Sequence, residues 1–190
     1  GSHSGLRNYR GTIGTITNSG TISAVGKWGL YNNGTIDTIT NSGTISAGDT
    51  DNDSDYGLFN SGTIETITNS GTISATNRYG LYNSGDITLE LSNSGTISAG
   101  TSYAIANTGS IETLTNTGSI TATTGAVDIS NQGTITTFNN SQGKSGLNPV
   151  TFIKSLPIKY KVIVNPENAS DSTSDYGQIE FSSFSGQANT

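Results

Sequence analysis

A chain of 190 residues with a net charge of −6 has room for one domain, and its acidic balance argues against nucleic acid as a partner. The absence of cysteine excludes disulfides, thiolate metal sites and a cysteine nucleophile, and no apolar run is long enough to cross a bilayer as a helix. Only 12% of the residues are charged and 25 are glycine; with abundant Asn, Ser and Thr, this composition suits short strands and tight turns rather than helices.

Residues 1–3, Gly-Ser-His, read as an expression-tag scar, so His3, the only histidine, is assigned no role and the natural N-terminus is expected to be missing. Residues 4–143 are written on one repeat. The ten residues TITNSGTISA stand at 15–24, 38–47 and 66–75. The shorter unit Asn-x-Gly-x-Ile begins at Asn18, Asn32, Asn41, Asn60, Asn69, Asn83, Asn93, Asn107, Asn116 and Asn131. Short and long steps between its glycines alternate and sum to 23–24 residues, once to 28. A fixed period of that size means a solenoid, propeller or array. Gly and Asn interrupt every few residues, which excludes helical units, and the ladder of a leucine-rich repeat is absent. The spacing predicts an all-β coil of five to six turns with three short strands per turn. One strand lies in GTIxTITN, one in GTISA, and one in GLYN (29–32, 80–83), GLFN (57–60) and AIAN (104–107).

Within a unit, Ile16, Asn18, Gly20, Ile22 and Ala24 share one parity, and therefore one face of a strand. The isoleucines mark that face as inward. Stacking turns ~4.8 Å apart aligns each position with its copies above and below. The Ile columns then form the core. Asn18, Asn41, Asn69, Asn93 and Asn116, and likewise Asn32, Asn60, Asn83, Asn107 and Asn131, are expected to form structural ladders of mutually bonded amides, because an unpaired buried amide costs roughly 1–3 kcal/mol. The Gly two residues later supplies backbone freedom, or room, for the corner.

The third strands place Trp28, Tyr56, Tyr79 and Tyr103 in one column, and Tyr31, Phe59 and Tyr82 in a second column of outward parity. Exposed aromatic stripes stack on sugar rings or seed protein contacts; the plainer expectation is that Trp28 and its equivalents fill a corner of the core. Lys27, Asp55 and Arg78 precede the first column and are placed to pair across turns. The segment GDTDNDSDYG (48–57) lengthens one turn and alternates Asp49, Asp51, Asp53 and Asp55. Alternating oxygen ligands suit calcium, although Ser54 and Asn60 stand where an EF-hand loop has Gly and Glu. The competing reading is a solvated acidic loop. Thr15, Thr17, Thr38, Thr40, Thr66, Thr68, Thr113 and Thr115 make an outward Thr-x-Thr ladder, interrupted by Glu90 and Ser92 and degraded at Thr137 and Asn139. Such a face suits ice, or hydrogen bonding to the same rows of a neighbouring rod; β propensity alone also explains it. Residues 144–190 break the repeat and are read as a C-terminal β capping segment or the start of irregular turns.

Asn-Ser-Gly-Thr-Ile repeats of this period, followed by LPIKYKVIVN (156–165) and STSDYGQIEF (172–181), resemble the passenger domains of bacterial autotransporters (type V secretion). The resemblance implies a right-handed parallel β-helix, export through the outer membrane, display at the bacterial cell surface, and an outer-membrane β-barrel elsewhere in the native chain. Activity varies within that family, so the fold does not settle it. A protease passenger would need a histidine and a Gly-x-Ser-x-Gly motif, and neither is present after the scar. Asp37, Glu65, Glu90 and Glu112 occupy roughly related positions in successive turns, without a cationic partner near them in sequence. A non-enzymatic adhesive or self-associating fragment is therefore expected. Its partners would be its own copies, or a host or bacterial surface receptor, including a glycan. The alternatives are calcium-dependent glycan binding through 48–57 and the aromatic columns, ice binding through the Thr face, or a passive spacer.

Overall fold

The computed structural model describes residues 4–48, 55–123, 126–142, 149–163 and 179–183. Among them are twenty strands, numbered β1 to β20 in chain order, and no helix. They form three sheets. The first stacks β1 (Ser4–Asn8), β4 (Trp28–Asn32), β7 (Tyr56–Asn60), β10 (Tyr79–Asn83), β13 (Ile105–Asn107), β16 (Ile129–Asn131), β18 (Val150–Lys154) and β20 (Ile179–Ser183). The second stacks β2 (Thr12–Asn18), β5 (Thr35–Asn41), β8 (Thr63–Asn69), β11 (Asp86–Asn93), β14 (Ser110–Asn116), β17 (Thr134–Asn140) and β19 (Lys159–Val162). The third stacks β3 (Thr21–Ala24), β6 (Thr44–Ala47), β9 (Thr72–Ala75), β12 (Thr96–Ala99) and β15 (Ser119–Ala122). Every pairing is parallel and joins successive turns, so the chain is a three-sheet parallel β-helix.

The register places each residue over its own copy. Ile36 lies over Ile13 and under Ile64, and Ile45 over Ile22 and under Ile73. These stacked columns are the core: Ile36, Ile39, Ile45, Leu58, Ile64, Ile67 and Ile73 are all fully buried. Burying a side chain of this kind contributes roughly 1.5–3 kcal/mol, and each turn adds its own set, such as Leu30, Ile36, Ile39 and Ile45.

Asparagines close two of the corners. One ladder runs Asn8, Asn32, Asn60, Asn83, Asn107, Asn131, each Nδ2 donating to the next Oδ1 at 2.8 Å. The other runs Asn18, Asn41, Asn69, Asn93, Asn116, Asn140 at 2.7–3.0 Å. All ten asparagines expected from the repeat are in these ladders. Asn8 and Asn140 extend them beyond the expected set. The following glycine supplies room rather than an unusual φ. A Cβ on Gly71 would overlap the Gly43 carbonyl oxygen and lie 2.7 Å from the Ser42 carbonyl carbon.

The C-terminal segment does not merely cap the coil. The described strands β18 and β19 continue the first and second sheets in register, with Phe152 over Ile129 and Tyr160 over Phe138. Among the described residues the third sheet gains no strand there. It ends at β15, where Gln142 takes the place that glycine holds in the repeat. Its Oε1 accepts from the Ile120 amide at 2.7 Å and its Nε2 donates to the Ile120 carbonyl at 3.0 Å. One side-chain amide thus satisfies the Ile120 backbone groups on the edge that a further strand would have paired.

Candidate functional site

The chain enters the first sheet through a pinch. A Cβ on Gly29 would lie 2.7 Å from the Ser46 carbonyl oxygen of β6 and 2.5 Å from the Gly57 carbonyl oxygen of the next turn. A Cβ does not fit on Gly29 where the first and third sheets approach this closely. In β4, β7 and β10 the residue at this point and the Leu after it are both buried, so strict alternation fails; in the next turn Ala104 holds the same place, also fully buried. The residue before this point is turned outside. Trp28, Tyr56, Tyr79 and Tyr103 are accordingly half-buried on the outer surface, which corrects the expectation that this column fills a corner of the core.

The same kink brings Trp28 onto the face of Tyr31, although two residues separate them. The two expected columns merge into one connected stripe. Trp28 stacks on Tyr31 with centroids 4.6 Å apart. Tyr31 meets Phe59 at 5.3 Å, and Phe59 meets Tyr82 at 5.0 Å. Tyr56 contacts both Tyr79 and Tyr82 at 5.5 Å, and Tyr79 stacks on Tyr103 at 5.9 Å. Offset and edge-on ring pairs of this type contribute about 0.5–1.5 kcal/mol each beyond area burial. Two hydroxyls are tied to the next turn: Ser61 Oγ donates to the Tyr31 hydroxyl at 3.4 Å, and the Tyr82 hydroxyl lies 3.4 Å from Thr108 Oγ1.

Cations gather on this stripe. The guanidinium of Arg7 lies 4.7 Å from the Tyr9 ring and 5.6 Å from Tyr31, and that of Arg10 lies 5.0 Å from Tyr9. Lys27 Nζ is 5.7 Å from the Trp28 ring. Arg78 lies 5.0 Å from Tyr79 and 5.5 Å from Tyr56. Arg7, Arg10, Lys27 and Arg78 are all the basic residues of positions 4–143. Burial raises the Tyr56 phenol above its ordinary value, with Arg78 pulling the other way. The Arg78 guanidinium is held charged first by its hydrogen bond to Tyr79. Arg7, Tyr9 and Arg10 were not among the residues singled out from the sequence. Their signal is that Arg7 lies one turn below Tyr31, in a turn whose corner, Asn8-Tyr-Arg-Gly11, is one residue longer than the repeat.

The second sheet carries the threonines. Thr15, Thr38 and Thr66 stack in one row, and Thr17, Thr40 and Thr68 in another. Thr115 continues the second row through Ser92, and Asn139 Nδ2 donates to its hydroxyl at 3.1 Å. The first row is broken at β11, which has eight residues where its neighbours have seven. The register shifts there, Glu90 falls opposite Thr66, and Leu89 is left 58% exposed. Thr113 resumes that row beyond the bulge, paired with Thr137. Glu90 thus stands in the threonine row, where the sequence places its interruption, and not at the position of Asp37, Glu65 and Glu112, to which it is only roughly related.

Asp49, Asp51 and Asp53 lie outside the described residues. Asp55 is fully buried, and Asn77 Nδ2 donates to its Oδ2 at 3.0 Å. Among the described residues no three His, Cys, Asp or Glu side chains are grouped as metal ligands. Asp128, which the sequence did not mark, is also buried. Its carboxylate accepts from the Ala122 amide at 2.7 Å and from the amide and hydroxyl of Thr151 at 2.9 and 2.8 Å, fastening β18 to the coil. Comparison with known proteins gives no counterpart: no family model, no curated protein and no solved structure matches the chain.

Proposed function

We propose that this chain is a non-enzymatic adhesive rod, a fragment of an exported bacterial surface protein, and that its contact surface is the aromatic and cationic stripe of the first sheet. One observation carries the reading: the rings of four successive turns and three of the four basic residues of positions 4–143, Arg7, Lys27 and Arg78, converge on a single face. Half-buried rings with charged neighbours are the composition of contact surfaces, where large rigid groups bind at low entropic cost. The threonine face is the weaker candidate, because the β11 bulge breaks one of its rows after three turns. Many copies of such a rod on one cell would add weak contacts into avidity.

The test is display of the full-length protein on bacteria, with and without residues 4–143, scored for cell aggregation and host-cell attachment. A second pair compares the parent with a Tyr31→Ala, Tyr82→Ala double variant. The adhesive reading predicts that both changes abolish attachment or aggregation. Unchanged scores after deletion would leave a passive spacer. Loss on deletion but not in the double variant would move the contact surface to the polar rows of the second and third sheets.

A further inference from the structure

We infer that the stripe binds an anionic polysaccharide, a linear glycan bearing carboxylate or sulfate groups, laid along the rod axis across successive turns. The inference rests on the adhesive reading above and names its ligand. Charge comes first. The chain is net acidic, yet three of the four cations of its repeat region, Arg7, Lys27 and Arg78, lie over rings of this stripe, and the fourth, Arg10, lies over Tyr9 at the corner after β1. Resting a cation on a ring face fixes the long side chain before any ligand arrives.

The rings supply the second element. A sugar ring offers an apolar C–H face and a wet hydroxyl rim. A half-buried tyrosine offers the complement, a flat apolar body with a polar edge. Tyr31, Phe59 and Tyr82 stand one turn apart at centroid distances of 5.3 and 5.0 Å, so they form a continuous track along the axis rather than an isolated spot. The Tyr31 and Tyr82 hydroxyls, with Ser61 and Thr108 beside them, line its edge with groups able to donate and accept.

The spacing of charge selects the polymer. Arg7 lies on β1, Lys27 just before β4 and Arg78 just before β10, while the place before β7 holds the acid Asp55. Cations are thus sparser than turns. A single-stranded nucleic acid presents a phosphate at every nucleotide and calls for a cationic groove along its whole backbone. A glycan with one acidic group per one or two sugars matches sparse cations separated by uncharged rings.

The experiment is calorimetric titration of the whole chain with polygalacturonate (carboxylate), dextran sulfate (sulfate), neutral dextran and oligo-dT. The expected result is binding to either or both anionic glycans, none to neutral dextran, and an affinity that falls as salt screens the contacts. Arg7→Gln with Lys27→Gln is expected to weaken binding about tenfold or more, and Tyr82→Ala about as much, while Tyr82→Phe retains most of it. Thr68→Ala on the second sheet should change nothing, and melting curves confirm that each variant is folded. Equal binding of neutral and sulfated dextran, tighter binding of oligo-dT, no binding to either anionic glycan, or an unaffected double Gln variant each overturns the inference. If soluble anionic glycan fails to block attachment that the Tyr31→Ala, Tyr82→Ala variant abolishes, the ligand is wrong and the adhesive reading stands. If that variant leaves attachment intact, the stripe is not the contact surface and the glycan inference falls with it, whatever the glycans do.

Discussion

Replacing Asn69 by Ala in the middle of its ladder should destabilise the chain by about 2–4 kcal/mol. Asn69 is fully buried. Its Oδ1 accepts from Asn41 Nδ2 at 2.8 Å; its Nδ2 donates to Asn93 Oδ1 at 2.8 Å and to the Thr96 and Gly71 carbonyls at 3.1 and 3.2 Å. Truncation leaves Asn93 Oδ1 buried without that donor, a cost of roughly 1–3 kcal/mol. Asn41 Nδ2 still reaches the Gly43 and Thr72 carbonyls, so its loss is nearer the net value of one bond, about 1 kcal/mol. For a chain of this size the sum lowers Tm by roughly 4–16 °C. Asn8→Ala is the internal control. Asn8 has no ladder neighbour below it among the described residues, and Asn32 Oδ1 still accepts from the Gly34 amide at 3.2 Å, so about 1 kcal/mol or less is expected. Asn69→Asp preserves shape but sets a carboxylate against Asn93 Oδ1 and two carbonyls, and should cost more than Ala. Urea unfolding followed by far-UV circular dichroism measures all three. Asn69→Ala within about 0.5 kcal/mol of Asn8→Ala, or Asn69→Asp more stable than Asn69→Ala, would refute the account of the ladder as a load carried by hydrogen bonds.

The glycine columns give a matched pair. Gly71→Ala forces a Cβ against the Gly43 carbonyl and should cost several kcal/mol or prevent folding, whereas Gly20→Ala meets nothing within 4 Å and should leave the melting curve unchanged; equal effects would mean that the corner needs glycine for φ rather than for room. Gln142→Ala exposes the Ile120 amide and carbonyl at the end of the third sheet, with an expected loss of about 2–4 kcal/mol and faster amide exchange at Ile120 by NMR; unchanged exchange would remove the sealing role. The raised Tyr56 phenol has a pH consequence. The unfolded phenol titrates near 10.0 and the folded one higher, so the stabilisation is complete below the unfolded value and is lost as pH rises through the folded one. Tyr56→Phe should therefore flatten the fall of Tm on the alkaline side of pH ~10, and parallel curves for parent and variant would contradict it.

The core and the ladders were legible because parallel stacking turns a sequence period into a spatial column. Once Asn-x-Gly-x-Ile recurs at a fixed sum of steps, the inward Ile and the paired Asn follow from strand parity and from the cost of a lone buried amide. What escaped the reading are places where the residue count or backbone path departs from that template. Asn8 lies one residue further from its glycine than the other members, and Asn140 is followed by Gln142 where glycine is expected. The bulge of β11 comes from a single extra residue in DITLELSN; Glu90 interrupts the threonine row as the sequence places it, but the exposed Leu89 and the shift of register were not read. The outward turn of Trp28 depends on how closely the backbones of β4 and β6 approach, a tertiary distance that parity alone does not encode. Past residue 149 the sequence leaves a cap and further irregular turns both open, because Phe, Tyr and Lys replace the repeat residues while the register persists.

Both asparagine ladders point the same way. In every rung the amide of the earlier turn gives its hydrogen to the carbonyl of the later one. Each ladder is therefore a head-to-tail row of dipoles that polarise one another, and the rod has an electrical direction from its first turn to its last. A newly added C-terminal turn meets donors already aimed at it, whereas a turn added at the other end must bring the donors itself. At the C-terminal end the rows are already closed, Asn131 Nδ2 on the Ser155 carbonyl and Asn140 Nδ2 on the Gln142 carbonyl, so the direction is one of stacking within the coil, with its last donors spent on the chain's own backbone.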